Sequence, residues 1–297
     1  MPKTLRVQSL ALIFLCALCW GPSYLFIKIA IPEIPPITLV LLRVAIAALI
    51  LSLVCRLQRQ PRFDWKRCWR QALVLGLTLN ALPFVLISFA ELFITSSLAG
   101  ILNSLTLIFT ALFAHFFGKE ERFTRNKAFG IILGIIGLAI IYLPGVLQQG
   151  IKSSLGVFLI IVACISYGGG AVYARSQVLR APGIVVLTAQ LILTTIVLIP
   201  FSLFIDRPYA LPWPGLEAIG GALGLGVIGT ALGFSLYYKA IQLAGATYAS
   251  FSVLFVPILA MILGAFFLHE QLTWNLYLGT LLILVGVTAV NPTFNKT

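Results

Sequence analysis

The side chains best equipped for chemistry in this sequence fall on stripes at helical spacing, not in a catalytic constellation. Asn80, Phe84, Ser88 and Glu91 recur three or four residues apart, and Ser96, Asn103, Thr106 and Thr110 follow a similar rule; residues so spaced share one face of a helix. Thr230, Phe234, Tyr237 and Tyr238 form a third stripe and Tyr248, Ser252 and Phe255 a fourth, while Trp20, Tyr24, Tyr167 and Tyr173 add further rings. Rings supply apolar contact and scattered hydroxyls and amides fix orientation, a combination that recognises a small amphipathic solute. The same residues do not add up to a reaction. Asp64, Asp206, Glu33, Glu120, Glu121, Glu217 and Glu270 lie at segment ends or in loops, the two histidines are His115 and His269, and neither an Asp-x-x-Asp pair nor a Walker-type phosphate loop is present. Acid–base, metal-assisted and phosphoryl-transfer chemistry therefore lack their groups. The chain is not expected to be an enzyme, and no metal or other cofactor is expected.

The elements that carry these stripes follow from composition. Of 297 residues 60% are hydrophobic and only 9% charged, with a mean hydropathy of +1.07. A water-soluble domain carries roughly 25% charged residues, so this chain has too little polar surface for water, and its solvent is the bilayer. Charge, Pro and Gly clusters divide it into ten apolar segments near 8–31, 36–55, 71–91, 95–117, 127–144, 154–174, 182–204, 215–239, 246–268 and 274–291. The first is too long for a signal peptide, and Trp20-Gly21-Pro22 offers no small-residue cleavage site. The net charge of +12 reads as a topology signal, not as a nucleic-acid surface. With ten spans the basic residues fall overwhelmingly on one side, leaving Lys28, Lys152 and Arg207 on the other and Arg43 within a span. The basic side is cytoplasmic, so both termini are predicted to be cytoplasmic. The cysteines Cys16, Cys19, Cys55, Cys68 and Cys164 offer no paired metal-ligand spacing and read as buried small side chains.

The chain also repeats itself. Phe116-Phe117-Gly118-Lys119-Glu120 matches Phe266-Phe267-Leu268-His269-Glu270, Phe84 matches Phe234, Asn80 matches Thr230, and Trp20-Gly21 with Lys28 matches Tyr167-Gly168 with Arg175. The halves are about 1–147 and 148–297. Each holds five spans, an odd number, so the second copy must enter the membrane from the opposite side. Inverted repeats of this kind place a solute site near the midplane, between the halves.

Trp20-Gly21 in the first span, the start of the second at Pro35-Pro36-Ile37-Thr38 followed by Arg43, and the turns Gly118-Lys119-Glu120-Glu121-Arg122-Phe123-Thr124 and His269-Glu270-Gln271-Leu272-Thr273 resemble the ten-helix EamA-type branch of the drug/metabolite transporter superfamily. The resemblance covers essentially the whole chain. Leu107-Ile108 departs from it where relatives often carry Pro, as does the Ala90-Glu91 end of the third span. The resemblance implies an all-α, single-chain bundle in which spans 1, 3, 4, 6, 8 and 9 surround a central cavity while spans 5 and 10 brace the outside. It also implies the inner membrane of a bacterium, and a monomer suffices. Gly130, Gly134 and Gly137 in span 5 and Gly279 and Gly286 in span 10 read independently as close-packing faces. The six glycines of span 8 admit either tight packing or a flexible cavity wall.

Substrate contacts are expected at Trp20, Tyr24, Asn80, Phe84, Ser88, Asn103, Thr106, Tyr167, Thr230, Phe234, Tyr237, Tyr248 and Ser252, with an interfacial belt as the other reading of Tyr24 and Tyr173. Arg43, two turns inside span 2, requires a partner. It could hold a substrate carboxylate, or serve structure by meeting helix ends or Glu91; span 2 is not expected to line the chamber, which favours the structural role. Lys28 and Arg175 are gate or headgroup charges, with snorkelling as the default. Among the acids only Glu91 approaches a span, and His115 and His269 flank the ends of spans 4 and 9, so the expected activity is export or exchange of a small amino acid or aromatic-type metabolite by alternating access, without an obligatory proton site. The rival classes are a channel, which would show unitary currents, and an intramembrane enzyme. Phosphorylated substrates are disfavoured because Arg43 is the one deep cation.

Overall fold

The computed structural model describes residues 3–117, 125–176, 182–244 and 252–290. Among them every regular element is helical: α1 (Lys3–Trp20), α2 (Pro22–Ala30), α3 (Pro36–Leu57), α4 (Trp65–Gly76), α5 (Leu82–Ala90), α6 (Ser96–Asn103), α7 (Thr106–Phe117), α8 (Arg125–Ser176), α9 (Gly183–Phe201), α10 (Leu216–Gly224), α11 (Gly233–Ala244), α12 (Ser252–Phe267) and α13 (Trp274–Val290). Seven stretches are long and apolar enough to cross a bilayer: Ala11–Ala30, Pro36–Leu57, Trp65–Ala90, Ser96–Phe117, Ser153–Ala174, Gly183–Asp206 and Leu216–Ala240. Ala128–Ile141, Ser252–Phe267 and Trp274–Ala289 are apolar but shorter, below the roughly 20 residues a span takes.

Several spans are interrupted near their middles, and each interruption has a local cause. Pro22 lacks the N–H that would continue α1, so the chain kinks at Gly21, which is pressed against Leu259 of α12. A wide π-turn over Leu77–Ala81 joins α4 to α5 just ahead of Pro83, and a longer one over Leu225–Leu232 joins α10 to α11 at Gly233. Between α6 and α7 the turn tightens at Ser104, whose hydroxyl donates to the Ile101 carbonyl at 2.6 Å. This break needs no proline, which accounts for Leu107-Ile108. Interruptions of this kind are common at functional sites.

The sequence predicts a break between residues 144 and 154, whereas the backbone stays helical through all 52 residues of α8. Gly134 lies against Ile108 and Gly168 against Phe109, neighbours in α7. On a straight helix the two glycines would stand about 51 Å apart at 1.5 Å per residue. The helix therefore bends back on itself between them, and its two arms pack separately. The first arm meets α13 through backbone: the Cβ position of Gly137 is 2.7 Å from the Gly279 carbonyl, and that of Gly286 2.5 Å from the Gly130 carbonyl. Lipid gives no hydrophobic drive between helices, so such contact depends on small residues. Gly221, Gly224 and Gly226 pack in the same way against Phe26, Ala30 and Ile46, while nothing lies near Gly220; close packing is thus the main role of that glycine-rich stretch.

Candidate functional site

The interrupted helices surround a cavity of about 250 Å³, at the small end for small-molecule sites. Trp20 is at the end of α1, beside the kink, and its ring meets Phe234 at 5.4 Å and Tyr237 at 5.2 Å between centroids, both on α11. Tyr24 reaches the wall from α2, Phe84 from α5, Tyr167 from α8, and Asn103 and Thr106 from the two sides of the α6–α7 break. These eight of the sequence-predicted contacts are brought together. Ser23, Ile27, Ile87, Val253 and Val256 complete the wall; being small or aliphatic, they carried no signal that separates them from lipid-facing residues.

Four predicted contacts are elsewhere. Asn80, Ser88, Thr230 and Ser252 are buried but off the cavity wall. Asn80 donates from Nδ2 to Oε1 of Gln190 on α9 at 3.3 Å, so its amide joins helices instead of facing the cavity. Thr230 donates to the Leu225 carbonyl at 2.9 Å and accepts from Arg43 Nε at 2.9 Å. The five-residue spacing of the first bond is that of the π-turn, which aims the hydroxyl at α3. Tyr248 lies outside the described residues, as does the side chain of Arg175.

Arg43 corrects an expectation. It belongs to α3, which was not expected to line the chamber, yet its side chain forms part of the wall with only 7% of its surface exposed. Its Cζ is 3.7 Å from the centre of the Phe84 ring, a cation–π contact. Among the described residues no carboxylate lies within ion-pair distance of it, since the only such pair is Arg67 with Asp64.

One face of the bundle is closed by contacts between sequence-distant connections. Glu270 accepts from Ser96 N at 2.7 Å and Ser97 N at 3.0 Å, at the start of α6. Asp206 accepts from Thr38 N at 2.6 Å at the start of α3, and Glu33 from Gly215 N at 2.6 Å ahead of α10. Free N–H groups and the helix dipole favour an anion at each of these positions. In the sequence these acids stand at segment ends or in loops; the cue to their role is that α3 and α10 follow Pro35 and Gly215, which have no capping side chain of their own. Lys28 does not snorkel. Its Nζ turns inward and donates to the Glu91 carbonyl at 2.5 Å and the Ile94 carbonyl at 2.9 Å, closing the end of α5. The Glu91 carboxyl is fully buried, with neither oxygen hydrogen-bonded.

The EamA-like transporter family model matches this chain twice, over residues 8–143 and 154–291. The chain belongs to the EamA-like transporter family. As a multi-pass membrane protein it is 26% identical over 279 residues to the uncharacterized transporter YoaV of Bacillus subtilis, covering 94% of this chain and 95% of that one. It is 25% identical to the uncharacterized inner membrane transporter YedA of Escherichia coli, covering 94% and 89% respectively. A solved crystal structure shares its fold at a TM-score of 0.67 and 18% identity, covering 97% of this chain and 98% of that one.

Proposed function

We propose that this EamA-family chain is a secondary transporter that exports or exchanges a small amphipathic metabolite across a bacterial inner membrane by alternating access, with both termini cytoplasmic. The observation that carries the reading is the ring-walled cavity, whose sides come from α1, α2, α3, α5, α6 and α7 and also from α8, α11 and α12. Ten spans arranged as inverted halves, 1–147 and 148–297, make that cavity the space between two copies. A pair of contacts supports the duplication. Arg43 meets Thr230 and Gln190 meets Asn80; Asn80 is the repeat mate of Thr230, and Gln190 follows Arg43 by 147 residues, the offset that separates Tyr167 from Trp20. Each contact thus joins the second span of one half to the third span of the other. The double family match over 8–143 and 154–291 supports the same division.

Metabolite profiles of medium and cells, with and without overexpression, identify the solute, and liposomes containing the purified chain then test its movement. Flux is expected to be saturable and to proceed without an imposed pH gradient, because no carboxylate is on the cavity wall among the described residues. Strict dependence on that gradient overturns the uncoupled mechanism, and unitary currents overturn the carrier. Trp20→Ala takes one aromatic ring off the cavity wall; a single ring contact to the solute is worth about 0.5–1.5 kcal/mol, so apparent affinity is expected to fall up to about tenfold, measured as the concentration giving half-maximal flux.

A further inference from the structure

We infer that Arg43 is the binding site for a carboxylate on the transported solute, so that the substrate is an organic acid or amino acid bearing an apolar or aromatic group. The inference rests on reading the cavity as a solute chamber and goes further by naming the chemistry that enters it.

Three observations carry it. The guanidinium is part of the cavity wall and is 7% exposed, but spends only Nε on the protein, in its bond to Thr230. Among the described residues neither terminal nitrogen has an acceptor. A cation so placed is costly unless an anion joins it, and among the described residues no carboxylate makes an ion pair with it. Scaffolding does not require the charge either. At the equivalent place in the second half the neutral Gln190 makes the matching contact with Asn80, so a neutral amide is sufficient to tie the second span of one half to the third span of the other. The charge at Arg43 is additional to that role. A planar guanidinium with two free terminal nitrogens matches the two oxygens of a carboxylate. Tyr24, Tyr167 and Asn103 share its wall and offer further polar groups, while Trp20, Phe234 and Tyr237 supply a surface for an apolar moiety.

The test compares three compounds with the same ring, 3-phenylpropionate, 3-phenylpropanamide and 2-phenylethylamine, for binding to the purified full-length chain in lipid nanodiscs by calorimetry. The acid is expected to bind at least about tenfold more tightly than the amide, with the amine weakest. Arg43→Gln, which copies the residue of the other half, is expected to remain folded by its thermal transition and to lose the preference for the acid, whereas Arg43→Lys retains part of it. Equal binding of acid and amide, binding of none of the three, or a preference that survives in folded Arg43→Gln overturns the inference. Liposomes separate this from the transport reading: an acid that binds but never crosses defeats transport alone, whereas an amine or amide carried as well as the acid defeats the Arg43 site alone.

Discussion

Replacing Glu270 with alanine should release the closed face of the bundle at the start of α6. Ser96 and Ser97 are 0% and 1% exposed, so their backbone N–H groups have no water to fall back on while the face stays shut. The carboxylate satisfies both, and also accepts from the Ser97 hydroxyl. Hydrogen bonds to a charged group contribute about 1.5–3 kcal/mol each, so losing two should cost the closed arrangement roughly 3 kcal/mol or more. That corresponds to about a hundredfold shift towards arrangements in which the amides reach water. Hydrogen exchange of a peptide spanning Ser96 and Ser97 should quicken by about that factor, while peptides from α3 and α10, held by Asp206 and Glu33, change much less. Unchanged exchange at Ser96 and Ser97 would show that Glu270 does not hold this face.

Gly137→Leu should cost much of the folded protein. The position a Cβ would take is 2.7 Å from the Gly279 carbonyl and 2.8 Å from Ile283 Cγ1, and the first is backbone, which cannot turn aside. Overpacking typically costs 1–3 kcal/mol, and a leucine wedged between two helix backbones should reach or pass about 3 kcal/mol by parting the first arm of α8 from α13. The matching control is Gly220→Ala, where nothing lies within 4 Å. Yield of monodisperse protein and thermal transition should fall sharply for Gly137→Leu and stay level for Gly220→Ala.

The positions of most apolar segments were legible because length and hydropathy are nearly sufficient to mark a span in lipid. The rings were legible too, since Trp20, Phe84, Phe234 and Tyr237 stand out on otherwise aliphatic helices. Which polar residues face the cavity was not. Asn80 and Thr230 share stripes with cavity residues, yet each is on a π-turn, where the extra residue per turn rotates a side chain away from the face that regular spacing assigns to it. In lipid the outer face is as apolar as the packed interior, so periodicity cannot say which stripe looks inward. That Arg43 is on the cavity wall is not legible either, because the bond that holds its side chain reaches Thr230, 187 residues away, and no local pattern records that contact. The acids at Glu33, Asp206 and Glu270 act on helix starts 168 to 182 residues distant, which a reading along the chain cannot see. The continuous backbone of α8 escaped notice because Pro144-Gly145 ordinarily ends a helix.

Alternating access requires that a cavity shut on one face be reachable from the other. The direct measurement replaces the five native cysteines with serine, installs Thr106→Cys on the cavity wall, and applies a membrane-impermeant maleimide to each face of oriented vesicles. Labelling is expected from the face opposite Glu270, to be slowed by bound solute, and to be absent from the Glu270 face until Glu270→Ala is added. Equal labelling from both faces, or none from either, would contradict a closed-and-open solute chamber between two inverted halves.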